Sequence, residues 1–105
     1  MYKLMVFIPM AQKEDVKMAM FEAGGGRIGN YDCCSFEVEG IGQFRPLKGS
    51  SPFIGKTDQI EQVREVRVEM VCEDEVLEAV IAAMKASHPY ETVAYDVIRL
   101  ANEAG

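Results

Sequence analysis

The stretch EQVREVRVEMVCEDEVLEAVIAAMKA, residues 61–86, predicts one strand followed by one helix, because its hydrophobic period changes once. In its first half, charged and apolar side chains alternate, as in a strand with one covered face. The apolar positions are Val66, Val68 and Met70, and the charged ones are Glu65, Arg67 and Glu69. From Asp74 to Ala86 the apolar residues recur at helical spacing, and they are Val76, Leu77, Val80, Ile81 and Met84.

The remaining sequence places similar elements on either side of this pair. Residues 2–8 are apolar almost throughout, which is typical of a central strand, and residues 12–23 have helical spacing that ends at Gly24-Gly25-Gly26. Residues 33–46, CCSFEVEGIGQFRP, predict a hairpin that turns at Gly40 to Gly42. A loop rich in Pro, Gly and Ser follows at 46–60, and the last predicted strand runs from Thr92 to Leu100.

This order of elements, β-α-β(β)-β-α-β, predicts an α+β fold of two split halves. Right-handed crossovers bring both helices onto the same face of the sheet. We therefore expect a ferredoxin-like, two-layer sandwich with a mostly antiparallel sheet and an extra edge hairpin. Residues 1–105 are expected to form a single domain.

Composition excludes several classes of protein. The net charge is −6 and the 11 basic residues are scattered, so the basic stripe of a nucleic-acid binder is missing. No apolar run approaches the roughly 20 residues that a membrane span needs. The three cysteines are an odd number and two are adjacent, which favours reduced thiols in a cytoplasmic protein over a disulfide framework.

His88, the sole histidine, has two interpretations. It could be a general base or metal ligand, but no serine or cysteine motif accompanies it. Alternatively it ends the second helix, since Pro89 prevents the helix from continuing and Tyr90 can fill the space beneath. We favour this structural interpretation.

Two other clusters also have alternatives. The glycines before Arg27 follow a helix instead of preceding one, which favours a helix cap over an anion site completed by Arg27. Cys33 and Cys34 could join Cys72 or His88 in a metal site, but adjacent strand residues point to opposite faces. The topology also separates the loops 24–32 and 87–92, so Arg27 and His88 could share a site only across subunits.

Three motifs resemble a known family. They are GGGRIGNYDCCSF (24–36), GQFRPLKGSSPFIG (42–55) and SHPYETVAYDVIRL (87–100). Together they resemble the YqfO-type insert domain of the dinuclear-metal-centre hexameric proteins, the family of the NGG-one-interacting factor three. The HPYE motif is also similar to the trimeric CutA proteins. The resemblance implies a CutA-like fold, with the PII signalling proteins as more distant structural relatives.

The chain departs from the full-length family in one respect. In those proteins the metal ligands lie in two further halves of the chain, whereas this sequence has one histidine and neither half. We therefore expect a stand-alone module with no metal, no cofactor, no catalytic residue and no enzymatic activity.

The leading hypothesis is a small cytoplasmic module that forms a homo-oligomer, with a trimer favoured. The first alternative is a PII-like sensor that binds a small anion or nucleotide at a subunit interface. The second is a metal-binding protein or enzyme of the dinuclear-metal-centre type. The residues expected to line an interface or a ligand site are Arg27, Asn30, Tyr31, Arg45, His88, Tyr90 and Glu91.

Overall fold

Four strands and two α-helices make up the computed structural model, which describes residues 1–102. Residues 103–105 of the expected 1–105 domain lie outside the described part. The elements are β1 (Tyr2–Pro9), α1 (Lys13–Glu22), β2 (Phe36–Phe44), β3 (Glu61–Cys72), α2 (Leu77–Ser87) and β4 (Tyr95–Arg99). Each helix is preceded by a short 3₁₀ turn, Met10–Gln12 or Asp74–Val76, so each α-helix begins later than its sequence pattern suggests.

The sheet has the order β2-β3-β1-β4, and every neighbouring pair of strands is antiparallel. β1 lies between β3 and β4, with Leu4 opposite both Met70 and Val97. Both halves are β-α-β units whose strands are not adjacent in the sheet, which is the arrangement of a ferredoxin-like fold. The predicted α+β class is confirmed.

The predicted extra edge hairpin is wrong. Gly40 and Gly42 lie inside β2, opposite Glu65 and Val63 of β3, so residues 1–102 contain no turn at this point. β3 is 12 residues long, so all nine residues of β2 pair with it. This pairing keeps the two glycines extended. The chain reverses instead through residues 45–60.

The core lies between the sheet and the helices. Its sheet side comes from alternate residues of β1 and β3, and its helix side from two residues of each helix. The buried residues are Leu4, Val6, Ile8, Val16, Met20, Val66, Val68, Met70, Cys72, Val80 and Met84. The predicted covered face of residues 66–70 is therefore confirmed. Each fully buried Leu or Val contributes roughly 1.5–3 kcal/mol relative to its exposed state.

The opposite face of the sheet, which we call the open face, carries both charged and apolar residues. Phe36 and Val38 of β2 are 65% and 44% exposed, and Ile98 of β4 is 50% exposed. Register places all three on this face, since they pair with Glu69, Arg67 and Lys3 and not with core residues. No helix within the described residues 1–102 is long and apolar enough to span a bilayer.

Charged and apolar side chains alternate on β2, with Phe36 and Val38 on the open face. Glu37 faces the helices, where its carboxylate accepts hydrogen bonds from Lys13 Nζ and Lys17 Nζ of α1, both at 2.8 Å. These contacts hold the pKa of Glu37 below its usual value, chiefly through the Lys13 hydrogen bond. Cys33 and Cys34 precede β2, so the prediction that they are strand residues is wrong. Cys33 adopts a positive φ of 54°, which is not a strand conformation.

Candidate functional site

His88 joins the end of α2 to β1. Its N–H donates to the Met84 carbonyl at 3.0 Å, which closes the last turn of the helix. In the ring, Nδ1 accepts the Tyr90 N–H at 3.1 Å, so Nε2 carries the proton and donates to the Phe7 carbonyl at 2.8 Å. The side chain is 7% exposed, and this burial lowers the pKa of His88. The ring is therefore a neutral link between main-chain groups.

Tyr90 joins the same turn to β3. Its hydroxyl donates to Glu65 Oε2 at 2.8 Å, and its ring meets that of Phe44 edge-on, with centroids 5.8 Å apart. Burial, followed by the hydrogen bond to the Glu65 carboxylate, raises the pKa of Tyr90. The phenol is therefore a stable hydrogen-bond donor at physiological pH.

Glu65 is the candidate site residue that the sequence pattern does not reveal. It belongs to the charged positions of β3, yet it is only 8% exposed. A Cβ atom built on Gly42 of β2 would lie 2.0 Å from Glu65 Oε1, so the carboxylate occupies space that a glycine leaves open. The signal for this burial in the sequence is Gly42 on the neighbouring strand, but glycine at this position also predicts a turn.

Glu91 joins the turn to the loop 45–60. Its Oε1 accepts the main-chain N–H of Ser51 at 2.8 Å. Within the loop, the Asp58 N–H donates to the Pro46 carbonyl at 2.7 Å, which closes the segment between them. The loop is thus held by hydrogen bonds of its own and by the 88–91 turn.

These contacts surround a cavity of about 420 Å³. Its walls come from the open face of the sheet, the loop 45–60 and the turn at residues 90–94. The lining residues are Phe7, Gly42, Gln43, Phe44, Pro46, Ser50, Pro52, Phe53, Ile54, Glu65, Tyr90, Glu91, Thr92 and Ala94. The size is within the range of small-molecule sites, and a few polar groups converge in a mainly apolar lining.

Arg27, Asn30 and Tyr31 lie at the other end of the sheet. The Gly26 N–H donates to the Val71 carbonyl at 2.8 Å, near the end of β3. The next residues form a tight turn, in which the N–H and C=O groups of Ile28 and Tyr31 exchange two hydrogen bonds of 2.9 Å. All three predicted residues are exposed, and Tyr31 is 75% exposed. The expectation that Arg27 and His88 share no site within one chain is consistent with this geometry.

Arg45 lies at the His88 end, directly after β2, but it does not line the cavity. The lining contains two carboxylates, Glu65 and Glu91, and no Lys or Arg side chain. Within one chain the structure therefore brings Tyr90 and Glu91 to the cavity and places His88 behind them, while Arg27 and Arg45 remain apart.

The cysteines do not form a cluster. Cys33 is exposed and Cys72 is buried in the core, where burial raises the pKa of its thiol to about 11. Across residues 1–102, no three side chains of His, Cys, Asp or Glu are grouped so that they could hold a metal ion. Within this range the side chains therefore do not support the alternative of a metal-binding protein.

Comparison with known proteins confirms the predicted resemblance. The chain is 52% identical over 95 residues to a "GTP cyclohydrolase 1 type 2 homolog" of Bacillus subtilis (strain 168), covering 90% of this chain and 26% of that protein. A protein of the same name from Halalkalibacterium halodurans is 46% identical over 103 residues, covering 98% and 28%. The chain thus spans about a quarter of the length of the curated relatives it matches. No family model matches.

Solved structures show similarity both to a NIF3-related protein and to CutA proteins. A Bacillus cereus protein related to NIF3 superposes with a TM-score of 0.84 at 43% identity, covering 98% of this chain and 26% of the other. CutA1 from Pyrococcus horikoshii OT3 superposes with a TM-score of 0.68 at 17% identity, covering 98% and 86%. The first is a homologous segment of a longer protein, and the second shows that the fold is CutA-like.

Proposed function

We propose that this chain is a non-enzymatic module that self-associates, and that a homo-trimer is its working form. The observation that carries the proposal is the apolar surface of the open face, where Phe36, Val38 and Ile98 are 44–65% exposed. These side chains lie on the two edge strands, with β3 and β1 between them. Large apolar side chains exposed on one sheet face are typical of surfaces that bind another protein surface.

The edges of the sheet support the same proposal. β2 pairs with β3 on one side, and nothing in residues 1–102 pairs with its other side over nine residues. An exposed edge of this length offers its free N–H and C=O groups to another strand. Pairing with a second copy satisfies these groups and removes the edge from solvent.

The proposed trimer follows from having two different edges. β2 has nine residues and β4 has five, so a β2 edge that meets a β4 edge makes a heterologous contact. Heterologous contacts close into rings when the rotation permits. The resemblance to the trimeric CutA proteins favours a ring of three.

The non-enzymatic part of the proposal concerns this segment alone. The relatives' name refers to GTP cyclohydrolase, but the segment is about a quarter of their length. His88, the sole histidine, uses both ring nitrogens for main-chain contacts, so it is not free to act as a general base. We place the module in the cytoplasm, on the basis of its odd number of cysteines.

Light scattering coupled to size-exclusion chromatography tests self-association at micromolar protein concentration. We expect the wild-type protein to have three times the mass of one chain. Phe36→Glu should reduce that mass to one chain, since a buried unpaired carboxylate at an interface is strongly unfavourable. Met18→Glu is the matched control, because Met18 is 53% exposed on α1, away from the open face, and should leave the trimer intact. A monomeric wild-type protein refutes the proposal.

A further inference from the structure

The cavity beside the 88–91 turn has walls suited to an apolar ligand. They are formed by aromatic and aliphatic side chains from β1, β2 and the loop 45–60, namely Phe7, Phe44, Pro46, Pro52, Phe53 and Ile54. With a volume of about 420 Å³, the space accommodates a molecule of one or two rings. The cavity lies at one end of the open face and includes residues 42–44 of the β2 edge, whereas Phe36, Val38 and Ile98 do not line it.

The cavity also contains a buried carboxylate that has no cationic partner. Glu65 is 8% exposed, and its Oε2 accepts the Tyr90 hydroxyl. Within residues 1–102, no Lys, Arg or His nitrogen lies within 4.0 Å of its oxygens. Removing a carboxylate from water is costly unless a charge or several hydrogen bonds compensate. Within residues 1–102 the Tyr90 hydroxyl donates to one oxygen of this carboxylate, and the other oxygen is left to water or to a ligand in the cavity.

We propose that the cavity binds a small organic cation, in which a protonated amine is attached to a flat apolar body. The ammonium group donates to the free oxygen of Glu65, and the apolar body lies among the phenylalanine rings. Aromatic faces attract cations as well, so Phe7 and Phe44 stabilise the same charge. Glu91 at the cavity wall adds a second negative group, and with no Lys or Arg in the lining the site disfavours phosphates and nucleotides.

A matched pair of probes tests the charge requirement on the wild-type protein. The protein is titrated separately with 2-phenylethylamine and with 2-phenylethanol, which has nearly the same shape without the charge, and amide shifts are followed by NMR. We expect shifts at Gly42, Phe53 and Thr92, and amine binding at least about tenfold tighter than alcohol binding, the size of one charge-assisted hydrogen bond.

Two variants locate the charge. In Glu65→Gln the tenfold preference should fall to about one, while alcohol binding is unchanged. Glu69→Gln is the control, since Glu69 lies on the same strand and the same face but outside the cavity lining, and it should keep the preference. Inorganic phosphate serves as the anionic probe and should cause no shifts at the cavity.

Several results overturn the proposal. These are equal binding of amine and alcohol, no binding of the amine up to millimolar concentration, equal loss in both variants, and phosphate binding at the cavity. The comparison of the two probes on wild-type protein stands even if Glu65→Gln fails to fold. Repeating it on Phe36→Glu protein separates this proposal from self-association, because the ligand preference should persist in the monomer.

Discussion

Tyr90→Phe removes one oxygen atom from the cavity and leaves the ring in place. In the native structure the Tyr90 hydroxyl is the side-chain group within residues 1–102 that donates a hydrogen bond to Glu65. The variant therefore tests whether the turn at residues 88–91 stabilises the fold through a hydrogen bond to a buried charge, independently of packing.

The expected magnitude follows from the position of Glu65. Losing a hydrogen bond to a charged group costs about 1.5–3 kcal/mol when the charge stays desolvated. Glu65 is 8% exposed, but it lines a cavity of about 420 Å³ that has room for water. Water can replace part of the lost interaction, so we expect the lower end, about 1.5 kcal/mol. For a domain of this size that corresponds to a fall in Tm of roughly 6–12 °C.

Urea denaturation at one fixed protein concentration measures this loss. Tyr31→Phe is the matched control, because Tyr31 is 75% exposed, and its free energy of unfolding should change by less than about 0.5 kcal/mol. In a double-mutant cycle with Glu65→Gln, the coupling should reach about 1 kcal/mol. If Tyr90→Phe unfolds like the control and shows no coupling to Glu65, the hydrogen bond does not stabilise the fold and the reasoning fails.

Two further predictions concern titration. Burial lowers the pKa of His88 below its ordinary 6.5, so the unfolded state takes up the proton first, and the free energy of unfolding should fall as the pH drops below about 6.5. Urea titrations across that range should show a shallower fall for His88→Gln, and identical slopes would contradict this. Burial also raises the pKa of Cys72 to about 11 and removes its side chain from solvent, whereas Cys33 is exposed, so a thiol reagent at pH ~8 should modify Cys33 well before Cys72. Peptide mass spectrometry measures both rates, and equal rates would show that Cys72 is accessible.

The fold was predictable because each covered face appears in the sequence as a regular spacing of apolar residues. Alternation in β3 and helical spacing in α2 each require one apolar face, and right-handed crossovers leave few ways to join them. The error was at Gly40–Gly42. Glycine is common both in turns and where a strand must leave room for a large neighbour, and the sequence alone does not show that β3 is long enough to pair with all of β2.

The candidate site was only partly predictable for a similar reason. His88, Tyr90 and Glu91 were identified because they are consecutive and follow a helix. Glu65 lies 25 residues away from Tyr90 and appears as one more charged position in an alternating strand. Its burial depends on Gly42 across the sheet and on the loop that closes over it. Such a contact depends on tertiary packing, which the spacing of apolar residues along one strand does not show.

The turn at residues 88–91 acts as a connector. Three of its side chains reach three different segments: His88 bonds to β1, Tyr90 to β3, and Glu91 to the loop 45–60. Because these contacts begin within four consecutive residues, β1, β3 and the loop cannot move apart without breaking at least one of them. Glu65 is therefore one hydrogen bond from the turn, and a second hydrogen bond, from Ser51 to Glu91, joins the turn to the loop. This geometry gives the buried histidine a structural role: the ring fixes the turn, and the turn positions the hydroxyl that donates to the buried carboxylate.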